Sequence, residues 1–273
     1  MWPFSYLKPK VPDGISREEA VATGIVSPPG HVPPRRAPIV DLLRTLRVGG
    51  GIILCYVWRL VFQRDRALPS NHSAEGQLEI QRSALRILEA LKVHVEVDGL
   101  DRVPSAGGLV FMWKQESHLD HLLLPAVLPR PCRIIYNTSI RDTPVYGEYL
   151  KREGNYWVDK NDESQWRPAL ARAAEDVQRG ICMLVSPEGT RSWDGRLLQM
   201  KRGAFILAEA SQRPIICVTL LGAYERMPRG AFAVRPGVVR AVFSAPIATD
   251  GALAGEALKA SVSSTFREAS NAT

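Results

Sequence analysis

Cysteine is sparse in this chain: Cys55, Cys132, Cys182 and Cys217 are scattered, and no two stand at C-x-x-C spacing. This argues against a disulfide framework or a zinc ribbon and leaves buried thiols in a reducing compartment as the expectation. Histidine is equally sparse, with five residues at 31, 72, 94, 118 and 121. His118 and His121 lie about one turn apart around Asp120, which is not a convincing ligand set, and no metal is expected. There is no dense Lys/Arg run interleaved with aromatics, so nucleic acid is not an expected partner. A G-x-S-x-G elbow is also missing, which removes the main support for a soluble hydrolase of α/β class. Finally, no apolar run reaches the roughly 20 residues needed to span a bilayer.

What the chain does have is positive charge. Among 273 residues, 35 Lys and Arg oppose 28 Asp and Glu, for a net +7 and a pI near 9.4. Such a balance points to anionic partners, including phospholipid surfaces and phosphorylated substrates. Apolar content of 45% and charged content of 23% are those of a globular protein.

Residues 1–37 show no sustained periodicity and end in "SPPGHVPPRRAP". Proline blocks helix and removes donors, so an extended, mobile tail is expected, without the marks of a secretory signal. Residues 38–92 read as a membrane-associating helical region. Its greasy centre, Val48 to Phe62, is broken by Arg59 and loosened by Gly49, Gly50 and Gly51. Flanking arginines, with Tyr56 and Trp58, suit the headgroup level. The expectation is a helix lying in or dipping into one leaflet, with a buried core helix and a short span as alternatives. "QLEIQRSALRILEALK", 77–92, has leucines at helical spacing and reads as an amphipathic helix.

From residue 93 to the end, strands alternate with helices. "VHVEVDG" alternates apolar and polar, and "GGLVFMW" is a continuous apolar run of the kind buried on both faces of a sheet. "SHLDHLLLPAVL" starts a helix, with Ser117 as its expected N-cap. Further strands are "RIIYN", "NYWVD", "ICMLV", "PIICVTLLG" and "VVRAVFSAP", with helices at "SQWRPALARAAEDVQRG" and "GAFILAEAS". The last stretch, from Asp250, reads as a surface helix with a loose end. This pattern predicts an α/β domain over 93–273, with a twisted, mostly parallel or mixed sheet flanked by helices.

Three polar clusters follow strands: "KQESHLD", "DKND" and "SPEGTRS". Ligand sites in such sheets collect where strand C-terminal ends meet helix N-termini, so one shared crevice is expected. In the third cluster Gly189 permits a tight turn beside a ligand, and Thr190 and Ser192 add hydroxyls. Arg191 and Lys201 supply cations, Arg191 with the planar fork that grips phosphate.

Together "QESHLD", "GNYWVDK", "PEGTRS" with "KRGAF", and "RPIICVTL" resemble, in order, the four blocks of the glycerolipid (lysophospholipid) acyltransferase family, over residues 77–250. The resemblance implies a membrane-attached α/β enzyme on the cytoplasmic face. It would move a fatty acyl group from acyl-CoA or acyl carrier protein to a lysophospholipid hydroxyl, such as that of lysophosphatidic acid, without a cofactor. It makes Asp120 the acid that orients a histidine base, and Glu188, Gly189, Thr190 and Arg191 binders of the phosphorylated acceptor, helped by Lys160 and Lys201. One residue departs from the pattern: Gln115 stands where the family has its histidine. An amide has no basic lone pair near neutral pH, and losing a positioned base costs about 10² to 10⁴ in rate. The chain is then a catalytically impaired, lipid-binding homologue, or a neighbour, His118 or Glu116, takes the proton. In either case Arg191 and Asp120 are expected to converge on one cavity.

Overall fold

The computed structural model describes residues 14–28, 37–62, 73–142, 147, 150–151, 154–159, 162–249, 251 and 254–271; for 52–62 and 74 only the backbone is described. Lys160, the proline-rich stretch 29–36 and the side chains of Tyr56, Trp58 and Arg59 lie outside the described set.

Seven strands form one mixed sheet: β1 (Val93–Asp98), β2 (Val110–Trp113), β3 (Cys132–Asn137), β4 (Tyr156–Val158), β5 (Cys182–Val185), β6 (Ile215–Leu221) and β7 (Gly237–Phe243), in the spatial order β1-β7-β6-β2-β5-β3-β4. All neighbours run parallel except β6 and β7. The four-residue run Val110 to Trp113 has both faces buried, as its unbroken apolar character requires. Phe111 and Trp113 join Leu184, Ile216 and Val218 on one face, which is covered by α3 (Ala74–Ala90) and α4 (Asp120–Val127) through Leu88, Leu123 and Leu124. Val110 and Met112 join Met183, Ile215 and Cys217 on the other. That face is covered by the helices Glu163–Gln178 and Arg202–Ser211, and by the C-terminal helix Gly255–Asn271. The period-2 alternation of strand side chains divides the apolar residues between two cores. The C-terminal helix is not merely superficial, because Leu258, Val262 and Phe266 are fully buried against the sheet.

The N-terminal segment departs from the extended tail expected of it. Residues 14–28 fold, with a short helix α1 (Arg17–Ala22) capped by Ser16, whose hydroxyl accepts the N–H of Glu19 at 3.1 Å. Ala20 and Val26 are buried. Proline density in 27–37 says nothing about the residues before it, where Ala20, Val21 and Val26 supply apolar surface to dock.

Helix α2 (Ile39–Phe62) is 24 residues long. Among the described residues no helix is long and apolar enough to cross a membrane. Its first turns have two unlike sides. Asp41 is buried and paired with Arg44 at 2.9 Å, and the hydroxyl of Thr45 accepts the N–H of Val234 at 2.9 Å. Ile39, Val40, Leu43 and Leu46 point away, each 57–76% exposed.

Candidate active site

β2 and β5 are adjacent and parallel, so the polar segments leaving their C-terminal ends are brought side by side. One begins at Lys114 and the other at Ser186, 72 positions later in the chain. Glu188 ties them together. Its Oε1 accepts the backbone N–H of Gln115 at 2.8 Å, and its Oε2 accepts that of Leu198 at 2.6 Å. The backbone N–H of Ser192 returns the contact by donating to the carbonyl of Gln115 at 3.1 Å. Glu188 is only 1% exposed, and burial raises its pKa to about 8 against the opposing pull of the two N–H donors. Glu188 is therefore a clamp between loops, not a group facing a bound acceptor as the motif implied.

Asp120 opens α4 and is fully buried. Its Oδ2 accepts the N–H groups of Glu116 at 2.9 Å and Ser117 at 3.1 Å. Its buried Oδ1 has no hydrogen-bond partner among the described residues. Burial raises the Asp120 pKa to about 8. Ser117 is not the N-cap expected of it; Leu119 holds that place. The Ser117 hydroxyl instead accepts the N–H of Leu119 at 3.0 Å and donates to the carbonyl of Met227 at 2.8 Å. A serine three residues before the helix fits the N-cap preference, but tertiary contact to Met227 takes its hydroxyl.

Above these residues lies a cavity of about 560 Å³, within the range of small-molecule sites. Its polar lining includes Gln115, His121, Gly189 and Lys201, and its apolar lining includes Trp113, Ile135, Val158, Trp166, Leu170 and Met200. Gly189 has φ +62°, a backbone state that suits glycine, with the Lys201 side chain 3.5 Å from where a Cβ would sit. Thr190, Arg191 and Asp120 do not line the cavity, and Asp120 is fully buried. The expectation that Arg191 and Asp120 share one hollow is thus corrected: they lie close enough for the Arg191 charge to act on Asp120, but neither forms the wall.

The two substitute bases that the sequence offered are placed differently from what their role would need. Glu116 is buried and paired with Lys114 at 2.9 Å; burial raises its pKa to about 7, opposed by the lysine. The surface residue His118 has a pKa lowered by desolvation and then by the charges of Arg191, His121 and Arg229, and it does not line the cavity. His121, which sequence reasoning left aside as lacking ligand spacing, does line it. One signal could have found it: a histidine following the first acid of a helix that begins at the sheet edge.

The folded N-terminal segment forms part of the same site. Gly24 accepts at its carbonyl from the Trp193 indole N–H at 3.1 Å and from Arg229 Nη1 at 2.8 Å. Arg229 also donates to the carbonyl of Arg191 at 2.8 Å and lies over the Trp193 ring at 4.1 Å. Gln199 donates its N–H to the carbonyl of Ala22 at 2.9 Å, and Thr23 lines the cavity.

Residues 94–221 match the family model described as Acyltransferase. A chloroplastic 1-acyl-sn-glycerol-3-phosphate acyltransferase of Brassica napus is 32% identical over 154 residues, covering 56% of this chain and 44% of that one. A chloroplastic enzyme of the same name from Arabidopsis thaliana is 30% identical over 155 residues, covering 56% and 43%. This chain thus spans less than half the length of these curated relatives. The crystal structure of the 1-acyl-sn-glycerophosphate acyltransferase PlsC from Thermotoga maritima superposes with a TM-score of 0.71 at 21% identity, covering 85% of this chain and 94% of that one, and shows a shared fold. The α/β sheet with its cavity beyond the C-terminal ends of the central strands β2 and β5 carries this match to an acyltransferase domain. Residues 94–221 are thus similar to acyltransferase domains, among relatives named for 1-acylglycerol-3-phosphate.

Proposed function

We propose that this protein transfers a fatty acyl group from a thioester, acyl-CoA or acyl carrier protein, to the free hydroxyl of a lysophospholipid such as lysophosphatidic acid. The carrying observation is that Gln115, Gly189 and Lys201 line one cavity together with the apolar Trp113, Val158 and Leu170. That mixed lining suits an amphiphile: Lys201, beside Gly189, attracts a phosphate, and Trp113, Val158 and Leu170 accept a hydrocarbon chain. Lys160, which the resemblance adds to the phosphate binders, follows β4, whose end at Val158 lines the same cavity. No cofactor is needed, because the thioester already carries the activated acyl group.

The exposed face of α2 supports work at a phospholipid surface. Ile39, Val40, Leu43 and Leu46 form an apolar stripe with the exposed Arg47 beside it, a pattern suited to lying in the headgroup region. We place that surface on the cytoplasmic face, as the resemblance implies.

A second reading, a lipid-binding homologue without turnover, draws support from Asp120. Its Oδ1 points at no donor among the described residues, as expected if the imidazole it would orient has been replaced. Chromatography of the products from labelled acyl-CoA and lysophosphatidic acid separates the two. Phosphatidic acid formed by the native chain supports the enzyme; tight lysophosphatidic acid binding without product supports the second reading.

A further inference from the structure

With an amide at the family's base position, the cavity still presents one imidazole. We propose that His121 is the general base of this site, taking the proton of the acceptor hydroxyl as that oxygen attacks the acyl thioester. The inference rests on the acyltransferase reading above and concerns how that reaction is run with Gln115 in place.

Position carries the argument. The groups following the C-terminal end of β2 that could accept a proton are Glu116, His118, Asp120 and His121. Glu116 is buried against Lys114, Asp120 is fully buried, and none of Glu116, Asp120 and His118 lines the cavity. His121 alone of the four lines the cavity, with Gln115, Gly189 and Lys201. Its ring is also held. It stacks on Tyr136 of β3 with centroids 6.3 Å apart and planes at 30°, and Tyr136 stacks on Trp157 of β4 at 5.5 Å and 26°. A ring fixed by two neighbouring strands has little freedom to lose when the acceptor binds, which is what a base needs.

Its charge state suits the role. Desolvation, then the charge of Arg191, lowers the His121 pKa to about 4, so the ring is neutral and its lone pair available near pH 7. An imidazole so depressed is a weak base. A phosphate bound in the cavity beside Lys201 would add negative charge near the ring, offset part of the cationic field and strengthen the base when the acceptor arrives.

The step balances without any further reactant. The hydroxyl proton passes to a His121 ring nitrogen while its oxygen bonds to the thioester carbonyl carbon. The carbon–sulfur bond then breaks, and the departing thiolate takes the proton from the imidazolium, leaving a free thiol, the ester and neutral His121.

The test uses the full chain with acyl-CoA and lysophosphatidic acid. His121→Phe keeps an aromatic ring to stack on Tyr136 and removes both nitrogens. We expect kcat to fall by about 10² to 10⁴ with little change in either KM and an unchanged Tm. His121→Ala should lose activity likewise and recover part of it on addition of free imidazole, a response that a packing role would not produce. Native-like kcat in His121→Phe overturns the proposal, as does His121→Ala that imidazole fails to revive. Transfer by the native chain that persists in His121→Phe overturns the His121 proposal while the acyltransferase reading stands. Absence of transfer by the native chain overturns that reading itself, and the His121 proposal with it.

Discussion

One oxygen of the Glu188 carboxylate accepts the backbone N–H of Gln115 at 2.8 Å, joining two loops that lie 73 residues apart in the chain. Its other oxygen accepts the Leu198 N–H, so this buried acid ties together the Gln115 and Leu198 segments. Glu188→Ala should leave both amides unsatisfied at a cost of about 3 kcal/mol, and should lower the Tm by roughly 10 °C. Glu188→Gln, which keeps one acceptor oxygen, should fall between. Thermal melts of the three proteins check the order. An alanine variant as stable as the native chain would show the clamp to be unimportant.

Gln115→His should raise acyl transfer by roughly tenfold or more, the low end of what a positioned base supplies. The gain requires the new imidazole to reach the unpartnered Oδ1 of Asp120. Combining it with Asp120→Asn should therefore remove most of the increase. The initial rate of phosphatidic acid formation measures both effects.

Stability should fall as pH rises from about 6.5 to 8. Asp120 and Glu188 have folded-state pKa values near 8 and Glu116 near 7, all raised chiefly by burial from ordinary values near 4. In this window the unfolded chain has already released those protons and the folded chain has not, so the folded state binds more protons and loses ground as they become scarce. The histidines act in the opposite sense but lower down. Their pKa values are depressed on folding, so their contribution is regained as pH rises towards 6.5 and is constant above it. Melts from pH 6.5 to 8.5 should slope downward, and Asp120→Asn should flatten the slope. A flat native profile would contradict the burial argument.

Replacing Ile39, Val40, Leu43 and Leu46 together by serine should reduce co-sedimentation with anionic phospholipid vesicles by about tenfold, because binding of such a helix follows its exposed apolar area. The docked side of α2, built on Asp41, Thr45 and Val48, is untouched, so the Tm should hold. This variant is a cleaner probe than N-terminal truncation, which would also remove the segment around Gly24 from the site.

Gly24 has φ +71°, and a Cβ there would stand 2.6 Å from Leu198 Cδ1 and 3.0 Å from Thr190 Cγ2. Gly24→Ala should therefore push the N-terminal segment off the loop that carries Arg191. The expected result is a raised KM for lysophosphatidic acid with a smaller effect on the acyl-CoA KM, measured by varying each substrate in turn.

The strands and helices of the domain, and the order of its polar clusters, could be read from the chain because they rest on local periodicity. "VFMW" has no polar position to face water, and the residues after it carry the acid and glycine pattern of the family. Which of those polar residues face a ligand could not be read that way. The sheet order sets β5 against β2, turning Glu188 inward onto Gln115, while Thr190 and Arg191 stay off the cavity wall. The same packing brings His121 to the cavity by stacking it on a strand that follows it in sequence, and folds residues 16–26 onto a loop some 170 positions away. Spacing along a chain determines which residues share a helix or a strand face. Orientation into a common cavity depends on contacts between distant segments, and only the assembled fold decides it.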